Sequence, residues 1–177
     1  MREPRTLALM VMVMVAGCRP QAVADTAAEP VALLTAAGWE VMSAAADPFP
    51  QERPASFECP DWCYGEEGGG FEVNTDICVY GAFEQPIAAP VQAGDRLVVN
   101  LWHESLWAPE PAEAHVAIGV GDQRLWEASI VIPSEANVIL AETEAEVSLP
   151  AGSAAWVHIH NHGGNSYQFL SLSVEPD

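Results

Sequence analysis

Residues 154–174 read AAWVHIHNHGGNSYQFLSLSV, two runs of alternating apolar and polar side chains joined by a Gly-Gly-Asn corner. Alternation with a period of two is typical of a strand that buries one of its faces. When Val157 faces a core, His158 and His160 both project from the opposite face. The stretch therefore predicts two strands, one of which carries two histidines on its outer side.

The same pattern continues through the chain from Phe57 onward, in short runs separated by Gly, Pro, Asn and Asp. The strands predicted in this way are 76–83, 96–102, 114–120, 124–130, 137–141, 144–149, 154–160 and 167–174. About eight short antiparallel strands without a long helical pattern indicate an all-β, two-sheet sandwich of jelly-roll type. The sequence shows no βαβ rhythm and no Gly-rich phosphate loop, which disfavours nucleotide-dependent chemistry.

The N-terminus has the pattern of an export signal. Arg2 and Arg5 precede an apolar run over 7–15, which ends in the small residues Ala16 and Gly17. A charged start, an apolar middle and a small-residue end predict a signal peptide over 1–17. The run is too short for a permanent membrane span, which needs about 20 residues.

The residues VAGC at 15–18 resemble the bacterial lipobox. The resemblance implies lipid attachment to Cys18. Because Arg19 rather than aspartate follows, it also implies an outer-membrane or cell-surface location. The Ala-, Pro- and acid-rich segment 18–56 is then a flexible tether, with a short amphipathic helix between 31 and 42. The globular domain is expected over 57–177.

Charge narrows the range of partners. The chain has 25 acidic residues against six basic ones, a formal charge of −19, and all six basic residues are arginines. Such a surface repels phosphate backbones and anionic headgroups, so nucleic acid is excluded as an expected partner. Cations and neutral ligands remain, and the membrane is reached through the lipid anchor.

Two further segments resemble a known kind of secreted module. VQAGDRLVVNLW at 91–102 and LPAGSAAWVHIHNHGGNSYQFLSLSV at 149–174 are similar to the bacterial pre-peptidase C-terminal domain and related carbohydrate-binding sandwiches. The resemblance consists of turn glycines and apolar alternation over about residues 91–175. It implies the fold more than the function.

Histidine placement is the most informative chemical feature of the sequence. All five histidines, His103, His115, His158, His160 and His162, lie at or beside predicted strands and are candidate metal ligands. Residues i and i+2 of a strand lie about 7 Å apart on one face, so His158 and His160 are a plausible chelating pair. His115 faces outward on its own strand and is a candidate third ligand.

Three imidazoles suit copper or zinc, and an added carboxylate would allow iron or manganese. The alternative is a set of surface imidazoles, or imidazoles bonded to the backbone.

The expected export to an oxidising compartment favours a disulfide among Cys59, Cys63 and Cys78. Cys78 can pair with either of the other two, and Cys63–Cys78 is the slightly favoured pairing. The odd number leaves one thiol over.

Trp156, Tyr167 and Phe169 form a possible ligand platform beside the histidines, of the kind on which sugar rings stack. The alternative is that these aromatics fill the core.

No catalytic motif stands out, so enzyme activity is not indicated. The sequence predicts an exported module that binds a transition metal. Carbohydrate or cell-envelope binding, or a purely structural surface lipoprotein, is the alternative.

Overall fold

The computed structural model of the protein describes residues 28–176. The predicted signal peptide over 1–17, Cys18 and the first part of the predicted tether lie outside the described residues. Within 28–176, no helix is long and apolar enough to cross a membrane. The helical structure in this range is one short 3-10 turn, Asp61–Cys63.

Eleven strands form two antiparallel sheets. Sheet 1 contains β1 (Val31–Ala32), β3 (Tyr64–Glu67), β4 (Gly70–Asn74), β6 (Arg96–His103), β9 (Asn137–Glu144) and β11 (Ser166–Glu175). Sheet 2 contains β2 (Glu40–Val41), β5 (Tyr80–Pro86), β7 (Ala112–Val120), β8 (Gln123–Ile132) and β10 (Ala154–Asn161). Sheet 1 has the order β3-β4-β11-β6-β9, with β1 also paired to β11, and sheet 2 has the order β2-β5-β10-β7-β8.

The predicted fold class, an all-β two-sheet sandwich, is confirmed. From β4 to β7 the chain crosses from one sheet to the other at every strand, as it does again from β8 to β11. The apolar positions of both sheets meet in one core, which includes Val157 and Ile159 of β10 and Leu97 and Leu101 of β6. The strand predicted over 144–149 is wrong, because β9 ends at Glu144 and only an isolated bridge joins Leu149 to Val91.

The tether predicted over 18–56 is wrong for the part that the structure describes. β1 pairs with β11, β2 pairs with β5, and Leu33 between them is fully buried in the core. The helix predicted between 31 and 42 is also wrong, because the backbone at both ends of that segment bonds to sheet edges instead. The domain therefore begins before residue 57.

The structure contains a disulfide between Cys59 and Cys78, and Cys63 is a buried free thiol. The expectation of a disulfide is confirmed, whereas the favoured pairing Cys63–Cys78 is wrong. Cys63 ends the 3-10 turn, and its side chain packs in the core instead of pairing with Cys78.

Candidate metal centre

The outer face of sheet 2 carries the histidine pair of β10. His158 lies opposite Ala82 of β5 and Ala117 of β7, while His160 lies opposite Tyr80 and His115. Residues directly opposite one another share a face of the sheet. The register therefore places His115, His158 and His160 side by side on the outer face.

A segment of residues 42–56, which we call the strap, crosses this face. Phe49 of the strap packs against His158 at 4.3 Å and against His115 at 4.7 Å between ring centroids. Met42, also in the strap, forms a small apolar cluster with Trp156 and the alanines beside His158. The strap closes one side of the histidine group to solvent.

Buried polar contacts fix the path of the strap. The Asp47 carboxylate accepts hydrogen bonds from the Tyr80 hydroxyl at 2.5 Å, from Arg53 at 2.7 Å and from the Phe49 backbone N–H at 2.9 Å. The Glu52 N–H then donates to the Phe49 carbonyl at 3.0 Å and closes a turn. This turn directs the Glu52 side chain toward the histidines.

Three imidazoles converge on a single oxygen of Glu52. Glu52 Oε2 lies 2.8 Å from His115 Nδ1, 3.3 Å from His160 Nδ1 and 3.4 Å from His158 Nε2. One donor atom each from Glu52, His115 and His158 lies within 4.8 Å of the others. We call Glu52, His115, His158 and His160 the Glu52 cluster. Distances of this size allow several of the side chains to bind one ion after small shifts.

His158 is the most deeply buried member of the Glu52 cluster. Its side chain has no solvent exposure, and neither ring nitrogen has a hydrogen-bond partner. Burial, assisted by the nearby His115, lowers the pKa of His158 to about 4, although Glu52 and Asp47 oppose the shift. The ring is neutral at pH 7, which is the form that binds metals.

The two strap carboxylates are ionised beside these rings. Burial opposes ionisation of Glu52, but hydrogen bonds from His115 and His160 and the charges of nearby imidazoles outweigh it and lower the Glu52 pKa. Burial likewise opposes ionisation of Asp47, and hydrogen bonds from Tyr80, Phe49 and Arg53 lower its pKa. The site thus combines a neutral buried imidazole with a charged oxygen donor.

A cavity of about 370 Å³ opens beside the cluster. Glu52, His115 and His160 form part of its wall, and Glu113, Glu127 and Ser129 form another part. His158 is not among the lining residues, because the strap covers it. The cluster thus has one dry side under Phe49 and one side that is open to solvent.

The two remaining histidines lie outside the Glu52 cluster. His162 follows the end of β10, is exposed and stacks near His160 at 4.5 Å between ring centroids. His103 lies in β6 of sheet 1, where it is buried and its Nδ1–H donates to the Glu104 carbonyl at 2.8 Å. The structure does not bring His103, one of the predicted ligands, into the Glu52 cluster, because it belongs to the opposite sheet.

Trp156, Tyr167 and Phe169 do not form an exposed platform. Trp156 lies on the outer face of sheet 2 but is covered by the strap, and only 6% of it is exposed. A Cβ on Gly119 would collide with the Trp156 ring, so glycine there lets the ring lie flat across β7. Tyr167 and Phe169 belong to sheet 1 and pack in the core.

Glu52 is the site residue that the sequence did not reveal. It lies in a proline-rich stretch, PFPQERP at 48–54, which has the composition of a linker. The signal that the sequence did contain is the large apolar Phe49, followed four residues later by Arg53, one of only six basic residues in the chain. An aromatic and a scarce arginine within a presumed tether indicate contact with a folded domain.

No family model matches the sequence, and no curated protein matches it. The solved structures that resemble the chain include the N-terminal cellulose-binding domain of beta-1,4-glucanase C from Cellulomonas fimi, with 11% identity and a TM-score of 0.44 over 64% of this chain and 84% of that domain. A CBM4 structure has 13% identity and a TM-score of 0.44 over 78% of this chain and 95% of its own. TmCBM61 in complex with beta-1,4-galactotriose has 12% identity and a TM-score of 0.34 over 64% and 74%. These distant likenesses assign no ligand to this chain.

Proposed function

We propose that this protein is a binding module that holds one divalent transition-metal ion at the Glu52 cluster. The observation that carries the proposal is the buried His158 ring, whose nitrogens have no hydrogen-bond partner although one of them faces Glu52. A buried polar group without a partner costs about 1–3 kcal/mol. A metal ion between His158 and Glu52 would remove that cost for Nε2, the nitrogen that faces Glu52.

The donor set suits a transition metal rather than calcium or magnesium. His115, His158 and His160 supply nitrogen, and Glu52 supplies one charged oxygen. Imidazole is a preferred ligand of copper and zinc, whereas calcium and magnesium take oxygen ligands almost exclusively. A mixed set with a carboxylate also accommodates iron or manganese.

The ligands come from distant parts of the chain. Glu52 is 63 residues from His115 and 108 residues from His160 along the sequence. An ion bound between them would join the strap to the outer face of sheet 2. Binding should therefore stabilise the folded chain, by an amount that grows with the logarithm of the ion concentration above the dissociation constant.

Metal content tests the proposal directly. The full chain is purified without a histidine tag, incubated with copper(II) or zinc(II), desalted and analysed by inductively coupled plasma mass spectrometry. We expect a single retained ion per chain. His158→Ala and Glu52→Gln should lose most of it, because each removes a donor from the converging set.

His103→Ala is the matched control, since it removes a buried histidine from the other sheet and should retain the ion. Circular dichroism establishes that each variant is folded. If the wild-type chain retains no metal, or if His158→Ala retains as much as wild type, the proposal is wrong.

A second candidate function is glycan binding, and a different cavity favours it. This cavity of about 460 Å³ lies on the other side of Phe49, and Trp156, Glu84, Asp122 and Arg124 contribute to its wall. Aromatic surface combined with polar side chains suits a neutral sugar ring. Calorimetric titration with neutral oligosaccharides, using Arg124→Ala as the variant, tests it. Binding that Arg124→Ala weakens supports the idea, and no binding by the wild-type chain rejects it.

We further propose that Cys18 anchors the protein to the outer membrane or cell surface. The lipobox-like residues 15–18 and the preceding apolar run support this. Mass spectrometry of the mature N-terminus tests the proposal. A diacylated cysteine at that end is the expected result, and an unmodified N-terminus would contradict it.

A further inference from the structure

His115 is the member of the Glu52 cluster whose two ring nitrogens both face carboxylates. Its Nδ1 lies 2.8 Å from Glu52 Oε2, inside the cluster, and its Nε2 lies 2.7 Å from Glu127 Oε1, outside it. Glu127 belongs to β8, where it lies opposite Ala117 and two residues from Ser129, the partner of His115. The register thus brings Glu127 diagonally against the outer edge of the His115 ring.

Glu127 is itself held in place. Arg124 of the same strand forms an ion pair with Glu127 Oε2, which leaves Oε1 directed at His115. The side chain of Glu127 is about one-third exposed, at 35%. It is therefore an oriented acceptor at the solvent edge of the site, and it does not contribute to the core.

A neutral imidazole carries one proton, and a nitrogen that binds a metal must offer its lone pair. An ion at the Glu52 cluster would contact His115 through Nδ1, so the ring proton must be on Nε2. The Nε2–H then donates to Glu127. Carboxylate, imidazole and metal in this order form an arrangement that fixes both tautomer and ring orientation.

We propose that Glu127 is the positioning residue of the metal site and holds His115 with Nδ1 directed at the ion. The inference rests on the proposed metal-binding function. His158 differs, because its ring has no hydrogen-bond partner on either nitrogen. Without an ion, Glu52 and Glu127 together hold the His115 ring. Once an ion occupies Nδ1, Glu127 is the carboxylate that continues to hold the ring through Nε2.

Copper(II) is the probe for the test, and the full chain is compared with Glu127→Gln and Glu127→Leu. Gln keeps the shape but its amide can donate to Nε2 and favour the wrong tautomer, while Leu removes the acceptor. Outer carboxylates of this kind typically contribute 10- to 100-fold to metal affinity. We expect copper affinity, measured by competition with a chelator, to fall by about this factor in both variants.

A spectroscopic readout separates positioning from a general effect on folding. Electron spin echo envelope modulation detects the remote nitrogen of each copper-bound imidazole and responds to the hydrogen bond on that nitrogen. The signal of one imidazole should change in the Glu127 variants. Urea unfolding in a chelator should change little, because Glu127 lies at the solvent edge.

Glu142→Gln is the matched control. Glu142 is an exposed carboxylate of β9 that pairs with Arg96 at 3.4 Å, so the substitution makes the same change in charge far from the site. If Glu127→Gln and Glu127→Leu bind copper within threefold of Glu142→Gln and give unchanged modulation, the inference is wrong although the metal site stands. If the wild-type chain binds no copper, the inference and the proposed function both fail.

Discussion

His158 and His103 are both buried histidines that lie against a tyrosine, but they belong to opposite sheets. The His103 ring donates to the Glu104 carbonyl and lies 5.7 Å from the Tyr167 ring. The His158 ring lies 5.3 Å from the Tyr80 ring and has no hydrogen-bond partner on either nitrogen. The fold thus supplies a backbone partner to the His103 ring, whereas the His158 ring faces the Glu52 carboxylate of the strap.

The difference shows that burial alone does not identify a ligand. A buried histidine with a backbone partner has its polar requirement satisfied by the fold. A buried histidine without a hydrogen-bond partner lowers the stability of the metal-free protein. Its free nitrogen can bind an ion when one is present. The two residues should therefore respond in opposite ways to substitution by leucine.

The largest expected difference is in the pH dependence of stability. The folded-state pKa of His158 is about 4, below the usual value of 6.5, because burial disfavours the charged ring. Between these values the unfolded chain binds a proton that the folded chain does not, so stability falls as the pH drops from about 6.5 to 4. The loss is on the order of 3 kcal/mol in the metal-free protein.

Urea unfolding in a chelator at pH 7 and pH 4 measures this loss. His158→Leu should remove it, while His103→Leu should retain it. The same pH dependence in both variants would show that His158 is not the residue responsible.

A smaller effect is expected from His103→Leu at pH 7. Leucine fills a similar volume but leaves the Glu104 carbonyl without its donor, so the free energy of unfolding should fall by about 1–2 kcal/mol. Urea unfolding measures the change. A neutral result would mean that water replaces the imidazole at that carbonyl, and the contrast between the two histidines would weaken.

The smallest effect is expected from His158→Leu in the metal-free protein at pH 7. The substitution removes two unpartnered nitrogens and retains apolar contact with Phe49, so the free energy of unfolding should rise by about 1 kcal/mol. The same variant should gain no stability from added copper or zinc. Destabilisation as large as that of His103→Leu would show that His158 has a structural role without metal.

Much of the site could be predicted from local alternation. The period of two in β10 places His158 and His160 on one outer face, and the same rule places His115 outward on β7. Which strands are neighbours, and in what register, is a long-range property that alternation does not contain. His103 shows this limit, since its residue type suits a ligand but its strand lies in the other sheet.

The strap could not be predicted, for a related reason. Its composition is that of a linker, and its position depends on contacts with residues far along the chain, chiefly between Asp47 and Tyr80 and between Phe49 and His158. Sequence patterns report which face of an element is apolar. They do not report that an irregular segment packs on that face and brings Glu52 with it.

X-ray absorption at the metal edge of the copper- or zinc-loaded full chain is the most direct test of an ion bound at the Glu52 cluster. We expect a first shell of nitrogen and oxygen near 2.0–2.2 Å, with outer-shell scattering from at least two imidazoles. That imidazole scattering should decrease in His158→Ala and remain in His103→Ala. A first shell of oxygen alone, or imidazole scattering that His158→Ala leaves unchanged, would contradict a metal site at the Glu52 cluster.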